Sequence, residues 1–277
     1  MMTLQKLLKK GKERLQSAQI VEWELDAWYL LEYVTGCRRS MYFLHPDQEV
    51  TASQVRQYEE LTEKRSLHIP LQHLTGTQEF MGLSFYVNEH VLIPRQDTEV
   101  LVEEALRYIV PGMHILDMCT GSGCILLSIL RLRNGVTGVG ADLSEEALLV
   151  AEKNRENLDV QAAFLNTDLF SQVEGTYDCI LSNPPYIPSC VVDTLMEEVR
   201  DHEPRMALDG SEDGLYYYRE IVEQSPKYLK PGGMLFFEIG YDQAEAVRSL
   251  MESSFQDVHV VKDLAGLDRV VYGTLRT

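Results

Sequence analysis

The sequence predicts an α/β protein: a doubly wound, mostly parallel sheet ending in an antiparallel hairpin, with a small amino-terminal helical bundle joined to it by a β-hairpin. Three observations predict it. From residue 114 onward, short apolar runs alternate with stretches of helical periodicity, the pattern of parallel strands and crossover helices. Before residue 75 the apolar residues recur at helical spacing alone. The last two apolar runs, 258–262 and 269–275, surround Asp263-Leu264-Ala265-Gly266 and read as a terminal hairpin at or near the sheet edge.

In chain order, Leu4, Leu7, Leu8 and Leu15 mark a first amphipathic helix, and Leu25, Trp28, Tyr29, Glu32 and Tyr33 mark a second. A third runs from Thr51 or Ser53 through Val55, Tyr58 and Leu61 to about Leu67, with Gly11, Gly36 and Pro46 as punctuation. Residues 1–75 therefore read as a helical domain, a scaffold or recognition module rather than a seat of chemistry. Residues 80–87 look like strand material broken at Gly82, and Val91-Leu92-Ile93 runs into Pro94, so 76–94 read as a β-hairpin linker. Within 95–277, Asp97 or Thr98 opens a helix that ends before Pro111-Gly112. Strands are expected at 114–117, 136–141, 161–165, 177–181 and 234–239, with helices at 125–132, 145–154 and 215–228.

Bulk composition narrows the class. At 45% hydrophobic and 25% charged, 277 residues describe a globular protein able to bury a full core. The net charge of -18 argues against general affinity for a phosphate backbone, which relies on Lys and Arg. The basic cluster Lys6, Lys9, Lys10, Lys12 and Arg14 reads as a solvated helix face or a partner contact. Five cysteines without CxxC spacing suit a reduced, intracellular protein with no zinc site. With no apolar h-region at the start and no run long enough to span a membrane, a cytoplasmic location is expected.

The chemistry centres on Asn183-Pro184-Pro185-Tyr186, which closes the apolar run 179–182. Alone, the tetrapeptide also fits a turn that ends a strand. At the carboxyl end of a strand in an open α/β sheet, however, it offers fixed carbonyl oxygens and an aromatic face where ligands bind. It holds no strong base or nucleophile, so it suits presenting a planar amide or exocyclic amine to an electrophile. Upstream, Asp117-Met118-Cys119-Thr120-Gly121-Ser122-Gly123-Cys124 forms a glycine-rich turn into a helix, where missing Cβ atoms let backbone approach a ligand. No GKS or GKT follows, and the third glycine of GxGxxG is missing. Asp142, about 20 residues on, is placed to accept bonds from a ribose diol, while Ser144 is the better helix cap. Asp168 and Leu169, after the third strand, are placed to hold an adenine amino group and ring.

A glycine loop, two acids and NPPY at successive strand ends resemble a class I S-adenosylmethionine-dependent methyltransferase. The flanks narrow the resemblance: Pro70-Leu71-Gln72-His73-Leu74-Thr75-Gly76, Leu92-Ile93-Pro94-Arg95-Gln96-Asp97-Thr98-Glu99, Glu203-Pro204-Arg205-Met206-Ala207-Leu208, Asp213-Gly214-Leu215, Glu238-Ile239-Gly240 and Asp263-Leu264-Ala265-Gly266-Leu267-Asp268-Arg269 all look like the PrmC/HemK family. These are the release factor glutamine N5-methyltransferases, and the resemblance covers most of the chain from about Pro70. It implies S-adenosyl-L-methionine as cofactor, S-adenosyl-L-homocysteine as product, and the GGQ glutamine of class I peptide chain release factors as target. Because one glutamine side chain offers little surface for selectivity, 1–75 is expected to recognise the body of the release factor, and the enzyme is expected to act as a monomer with no direct nucleic-acid or membrane contact. Carried over by position, Asp117, Cys119, Thr120, Gly121, Ser122 and Gly123 line the methionine part. Asp142 holds the ribose, Asp168 and Leu169 flank the adenine, and Asn183, Pro184, Pro185 and Tyr186 receive the glutamine, Asn183 also bordering the cofactor. Two positions depart from the family pattern. Cys119 stands where glycine is usual, which requires its Cβ to point away from the cofactor, and Leu169 stands where many relatives carry an aromatic.

On this reading the Asn183 side-chain oxygen and the Pro184 carbonyl accept the two amide N–H bonds, Tyr186 packs on the amide plane, and no catalytic base is required. Two rivals stay open at this point: a nucleic-acid amino-methyltransferase acting on adenine or guanine, and a non-catalytic cofactor-binding scaffold.

Overall fold

The computed structural model describes residues 1–276; Thr277, the last residue of the predicted third domain, lies outside them. The chain divides into two compact units, residues 1–76 with 196–202, and residues 77–195 with 203–277.

The first unit contains α1 (Leu4–Ser17), α2 (Trp23–Thr35), α3 (Arg39–Leu44), α4 (Ala52–Ser66) and α5 (Leu71–Thr75). Thr3 caps α1 by accepting from Lys6 N, and Thr51 with Gln54 forms a capping box on α4, so both starts are written locally. The apolar faces of α1, α2 and α4 meet around Leu7, Leu15, Leu30, Leu31 and Tyr58. The Tyr58 hydroxyl donates to Ala27 O at 2.9 Å, and a Cβ added to Gly11 would stand 1.9 Å from it, so Gly11 is required by close approach. Buried Arg65 bonds Asp26 at 2.7 Å and Glu198 at 2.6 Å, which ties residues 196–202 into this unit. Much of the predicted basic cluster is neutralised within the unit. Lys10 pairs with Glu59, Lys12 with Glu24 at 3.0 Å, and Arg14 donates to Glu59 O at 2.8 Å.

The second unit opens with the antiparallel hairpin β1 (Thr77–Phe80) and β2 (Leu83–Tyr86). The break expected at Gly82 is the hairpin turn: Met81 and Gly82 both take left-handed φ, 51° and 70°, as a two-residue hairpin turn requires. Val91-Leu92-Ile93, expected as strand, is irregular. Then follow α6 (Gln96–Ala105), β3 (His114–Met118), α7 (Cys124–Leu132), β4 (Thr137–Asp142), α8 (Glu145–Leu158), β5 (Ala163–Asn166), β6 (Tyr177–Ser182), α9 (Ser189–Val192), α10 (Glu197–His202, of the first unit), α11 (Tyr216–Gln224), β7 (Leu229–Glu238), α12 (Ala244–Met251), β8 (Phe255–Lys262) and β9 (Asp268–Leu275).

These strands form a seven-stranded sheet in the order β5-β4-β3-β6-β7-β9-β8, parallel except for β9, which is antiparallel to both β7 and β8. The hairpin β8–β9 thus inserts β9 beside β7 and leaves β8 at the edge. Two apolar layers cover the sheet: one includes Leu101, Leu126, Ile129 and Leu181, the other Ile180, Tyr218, Phe237 and Val247. Burial on both faces explains why β3 and β6 read as continuous apolar runs.

Candidate active site

The carboxyl ends of β3, β4, β5 and β6 open into one cavity. Its wall takes residues from the glycine loop, from the ends of β4 and β5, from the strap 90–95, and from Asn183 and Pro185.

The glycine loop turns sharply because three of its residues take left-handed φ: Cys119 at 60°, Gly121 at 53° and Gly123 at 77°. A Cβ at Gly123 would stand 3.0 Å from Leu127 Cδ1, so the glycine also lets α7 start close to the loop. Cys119 carries the strain of a residue with a Cβ. Burial pushes its thiol up, and the Ser182 hydroxyl opposes that shift. Asp117 is fully buried behind the loop. Its Oδ2 accepts from Thr120 Oγ1 at 2.6 Å and Leu126 N at 3.3 Å, while Oδ1 has no partner. Burial raises this carboxyl to about 7.

Asp142 ends β4. Its Oδ2 accepts from Gly121 N at 2.8 Å and its Oδ1 from Ser144 N at 3.0 Å, leaving each oxygen a further lone pair toward the cavity. Burial is the main cause holding its carboxyl above the usual range. Ser144, not Asp142, caps α8, accepting from Ala147 N at 3.1 Å. Beyond β5, Thr167, Asp168 and Leu169 line the cavity, whereas Phe170 turns into the core and stacks on Tyr228 with centroids 4.7 Å apart. Leu169 also takes a left-handed φ, 45°.

Asn183 lies one residue beyond β6, and its Nδ2 donates to Thr98 Oγ1 at 3.4 Å. The segment after NPPY is braced by residues 208–210, with Ile187 N donating to Leu208 O at 3.0 Å and Gly210 N to Ile187 O at 2.8 Å. That brace brings Pro204, Met206 and Ala207 to the cavity, and Glu203 holds Arg95 there at 2.6 Å. The Tyr186 hydroxyl donates to Glu238 Oε1 at 3.3 Å, and its main-chain oxygen accepts from Gln243 at 2.9 Å.

The structure thus brings Cys119, Thr120, Gly121, Ser122, Asp142, Asp168, Leu169, Asn183 and Pro185 to one wall. Asp117, Gly123, Pro184 and Tyr186 lie outside that lining, with Tyr186 turned toward Glu238.

Residues 6–76 match the PrmC N-terminal domain family, and residues 96–199 match the methyltransferase small domain family. A Caulobacter vibrioides protein named release factor glutamine methyltransferase is 42% identical over 278 residues, covering 98% of this chain and 96% of its own length. A Geobacter sulfurreducens protein of the same name is 38% identical, covering 99% of this chain and 97% of its own. The chain belongs to the release factor glutamine methyltransferase family. A Pyrococcus furiosus methyltransferase crystal structure shares the fold at TM-score 0.54 and 15% identity, covering 71% of this chain and 90% of its own.

Set within the release factor glutamine methyltransferase family, the segments 92–99, 203–208 and 238–240 gain roles that sequence reasoning quoted without assigning. Pro94, Arg95, Thr98, Pro204 and Met206 reach the cavity, and Glu238 stands behind Tyr186. Their signal was clustering within family motifs. Nothing in their local spacing announced that three distant loops meet. Tyr217, from α11, also lines the cavity and had no such signal.

Proposed function

We propose that this protein transfers a methyl group from S-adenosyl-L-methionine to the side-chain nitrogen of the GGQ glutamine in class I peptide chain release factors, acting in the cytoplasm as a monomer. Family membership supports the reaction. The single structural observation that carries it is Asn183, standing with Asp142 and the glycine loop around one cavity.

The residues fit the cofactor. Asp117 keeps a buried carboxylate oxygen without a partner, and Asp142 keeps two partly used oxygens. Two acids at one cavity edge, Asp117 buried behind the loop and raised first by burial and further by Asp142, favour a cationic ligand, because a nearby cation favours the ionised carboxylates. A phosphate ligand finds little here: among the described residues that line the wall, Arg95 is the lone Lys or Arg, and it is already paired with Glu203. Bound there, S-adenosylmethionine supplies an electrophilic methyl carbon on a sulfonium. Asp142 would hold the ribose diol, Asp168 and Leu169 the adenine, and residues 119–123 the methionine portion over Asp117.

A carboxamide nitrogen is a poor nucleophile because its lone pair is delocalised into the carbonyl. Asn183 Oδ1 and the Pro184 carbonyl would accept its two N–H bonds and so turn the nitrogen toward the methyl donor. Each such bond contributes on the order of 1 kcal/mol net. Alignment contributes more, several kcal/mol of barrier. As positive charge develops on the nitrogen, the same fixed dipoles stabilise it. Tyr186 would support the Pro184-Pro185 backbone from behind, anchored on Glu238. The amino-terminal unit would grip the release factor's body, since one glutamine side chain offers too little surface for selectivity.

The test is methylation of a purified release factor with labelled cofactor by wild type and Asn183→Ala, alongside DNA and RNA. The expected result is labelling of the factor alone and a loss of about 100-fold or more in the variant. Undiminished labelling by Asn183→Ala would remove the assigned role, and labelling of nucleic acid alone would replace the substrate.

A further inference from the structure

Two prolines make the acceptor segment stiff but hard to hold. Neither Pro184 nor Pro185 has a backbone N–H to donate, so the segment must be fixed from its ends. The leading end is secured by the sheet: Ser182 of β6 stands beside Met118 of β3 and Phe237 of β7, and its hydroxyl donates to Met118 O at 2.8 Å. The trailing end is secured by Gln243. This side chain is 9% exposed and does not line the cavity, yet its Nε2 donates to Tyr186 O at 2.9 Å and to Gly214 O at 3.3 Å. Its Oε1 accepts from Gly240 N at 3.0 Å.

Backbone groups alone decide which end of the Gln243 amide points where. Gly240 N can only donate, and the carbonyls of Tyr186 and Gly214 can only accept, so the oxygen and the nitrogen each have one possible place. Gln243 is also a firm base, because it caps the start of α12. Its backbone N donates to Gly240 O at 2.9 Å and its O accepts from Val247 N at 3.0 Å. The Tyr218 hydroxyl holds the same turn by donating to Glu238 O at 2.9 Å. Across from Gln243, the Tyr186 main chain is closely packed. A Cβ on Gly210 would stand 2.7 Å from Tyr186 Cα, and one on Gly214 would stand 2.3 Å from Tyr186 O. One buried amide thus gathers the end of NPPY, Gly214 and the β7–α12 turn at a single carbonyl.

We propose that Gln243 is a positioning residue whose amide, by clamping the Tyr186 carbonyl, sets the direction in which Asn183 and the Pro184 carbonyl face the substrate amide. This rests on the reading of Asn183-Pro184-Pro185-Tyr186 as the acceptor of a carboxamide. The prolines transmit the constraint: each ring locks its φ near about −65°, so turning the Tyr186 peptide turns the Pro184 carbonyl with it. Two N–H bonds to one planar amide require both acceptors to keep their angle, and a hydrogen bond weakens steeply once misaligned. Gln243 therefore acts on substrate alignment and leaves the cofactor wall untouched. A packing role alone would instead lower stability and leave turnover intact below the melting temperature.

The experiment compares the full-length wild type with Gln243→Glu, Gln243→Met and Val247→Ala, each assayed well below its melting temperature. Gln243→Glu keeps an acceptor for Gly240 N but, ionised, has no proton for Tyr186 O; Gln243→Met keeps the length and loses both bonds. Each is expected to lower kcat on the release factor about 10- to 100-fold, the scale of a misplaced reactant, with the calorimetric Kd for S-adenosylhomocysteine changed less than about threefold. Val247→Ala trims a fully buried side chain on the same helix without touching the clamp. It should lower the melting temperature as well, yet keep kcat within about twofold of the wild type. In nitrogen-edited NMR spectra, the Asn183 side-chain NH2 pair, assigned by its loss in Asn183→Asp, should shift in both Gln243 variants and stay in place in Val247→Ala. Gln243 variants with more than half the wild-type kcat, an Asn183 pair that does not move, or an equal loss of kcat in Val247→Ala would overturn the inference. Failure of both Gln243 variants to fold would also overturn it, since the residue would then hold the fold rather than the acceptor. The spectra need no turnover, so a wild type inert toward release factors would defeat the proposed substrate while the Asn183 shift still decides the clamp.

Discussion

Replacing Asn154 by alanine should loosen the cavity from behind without touching its wall. Asn154 lies on α8, is fully buried, and makes three bonds across two other elements. Its Oδ1 accepts from Tyr86 N at 2.6 Å, and its Nδ2 donates to Tyr86 O at 3.0 Å and Ser122 O at 2.9 Å. It therefore joins the end of the β1–β2 hairpin to the glycine loop. Ser122 is 2% exposed, so its carbonyl would be left without water, at about 1–3 kcal/mol. Tyr86 is half-buried, and its two groups can partly hydrate, so each lost bond there contributes about 1 kcal/mol. The sum is roughly 3–5 kcal/mol. Urea unfolding of the intact chain, followed by far-ultraviolet circular dichroism, should show a lower midpoint with an unchanged slope. Cofactor affinity should weaken about tenfold, because Ser122 and the strap 90–95 both line the cavity. Lys153→Ala is the control: it removes a cation over the same Tyr86 ring, 3.2 Å away, and should cost under about 1 kcal/mol. A loss below about 1 kcal/mol in Asn154→Ala would refute the bracing role.

Three other outcomes follow from the same geometry. Gly11→Ala would drive a methyl group into Tyr58 and break its bond to Ala27, destabilising the first unit by about 2–4 kcal/mol. Both tryptophans, Trp23 and Trp28, lie in α2, so fluorescence-detected melting reads that unit directly, and an unchanged melt would contradict the packing. Arg65→Ala would leave Asp26 buried without its partner and cost about 3–5 kcal/mol by the same assay, whereas a loss under 1 kcal/mol would show that water compensates. Asp117 is raised from 3.8 to about 7, so the folded chain holds a proton that the unfolded chain releases; stability of the free protein should fall as pH rises from about 4 to about 7. Asp117→Asn should flatten that decline in pH-dependent denaturation, and an unaltered slope would assign it elsewhere.

Local signals carried much of the architecture. The alternation of strand and helix survives in β3 to β7 because both sheet faces are covered, and continuous apolar runs are the mark of such strands. The cap at Ser144 is made as its motif suggests, and the helix start left open between Thr51 and Ser53 is capped by Thr51. The break at Gly82 within a hairpin was legible, and the pairing of Phe80 with Leu83 fixes it as a two-residue turn. Val91-Leu92-Ile93 was misread because its burial comes from covering α8 and the cavity rather than from a sheet. In the site, residues at strand ends were legible since topology places every such end on one edge. Thr98, Glu203 and Glu238 were not, because their contacts join segments more than 50 residues apart in the chain, such as Asn183 with Thr98 and Tyr186 with Glu238. Arg65 illustrates the same limit in the first unit: its partner Glu198 is 133 residues away. That pairing also means that deleting residues 1–70 would expose 196–202, so surface substitutions on α2 and α3 test substrate recognition more cleanly than truncation.

The central claim is that the methyl group goes to a glutamine side-chain nitrogen of a release factor. The most direct measurement is a fragmentation mass spectrum of that factor after incubation with the wild-type enzyme and S-adenosylmethionine. The account predicts a single added methyl group on the GGQ glutamine, absent when Asn183→Ala replaces the wild type. A methyl group on any other residue, or an unmodified factor in the presence of active cofactor turnover, would contradict it.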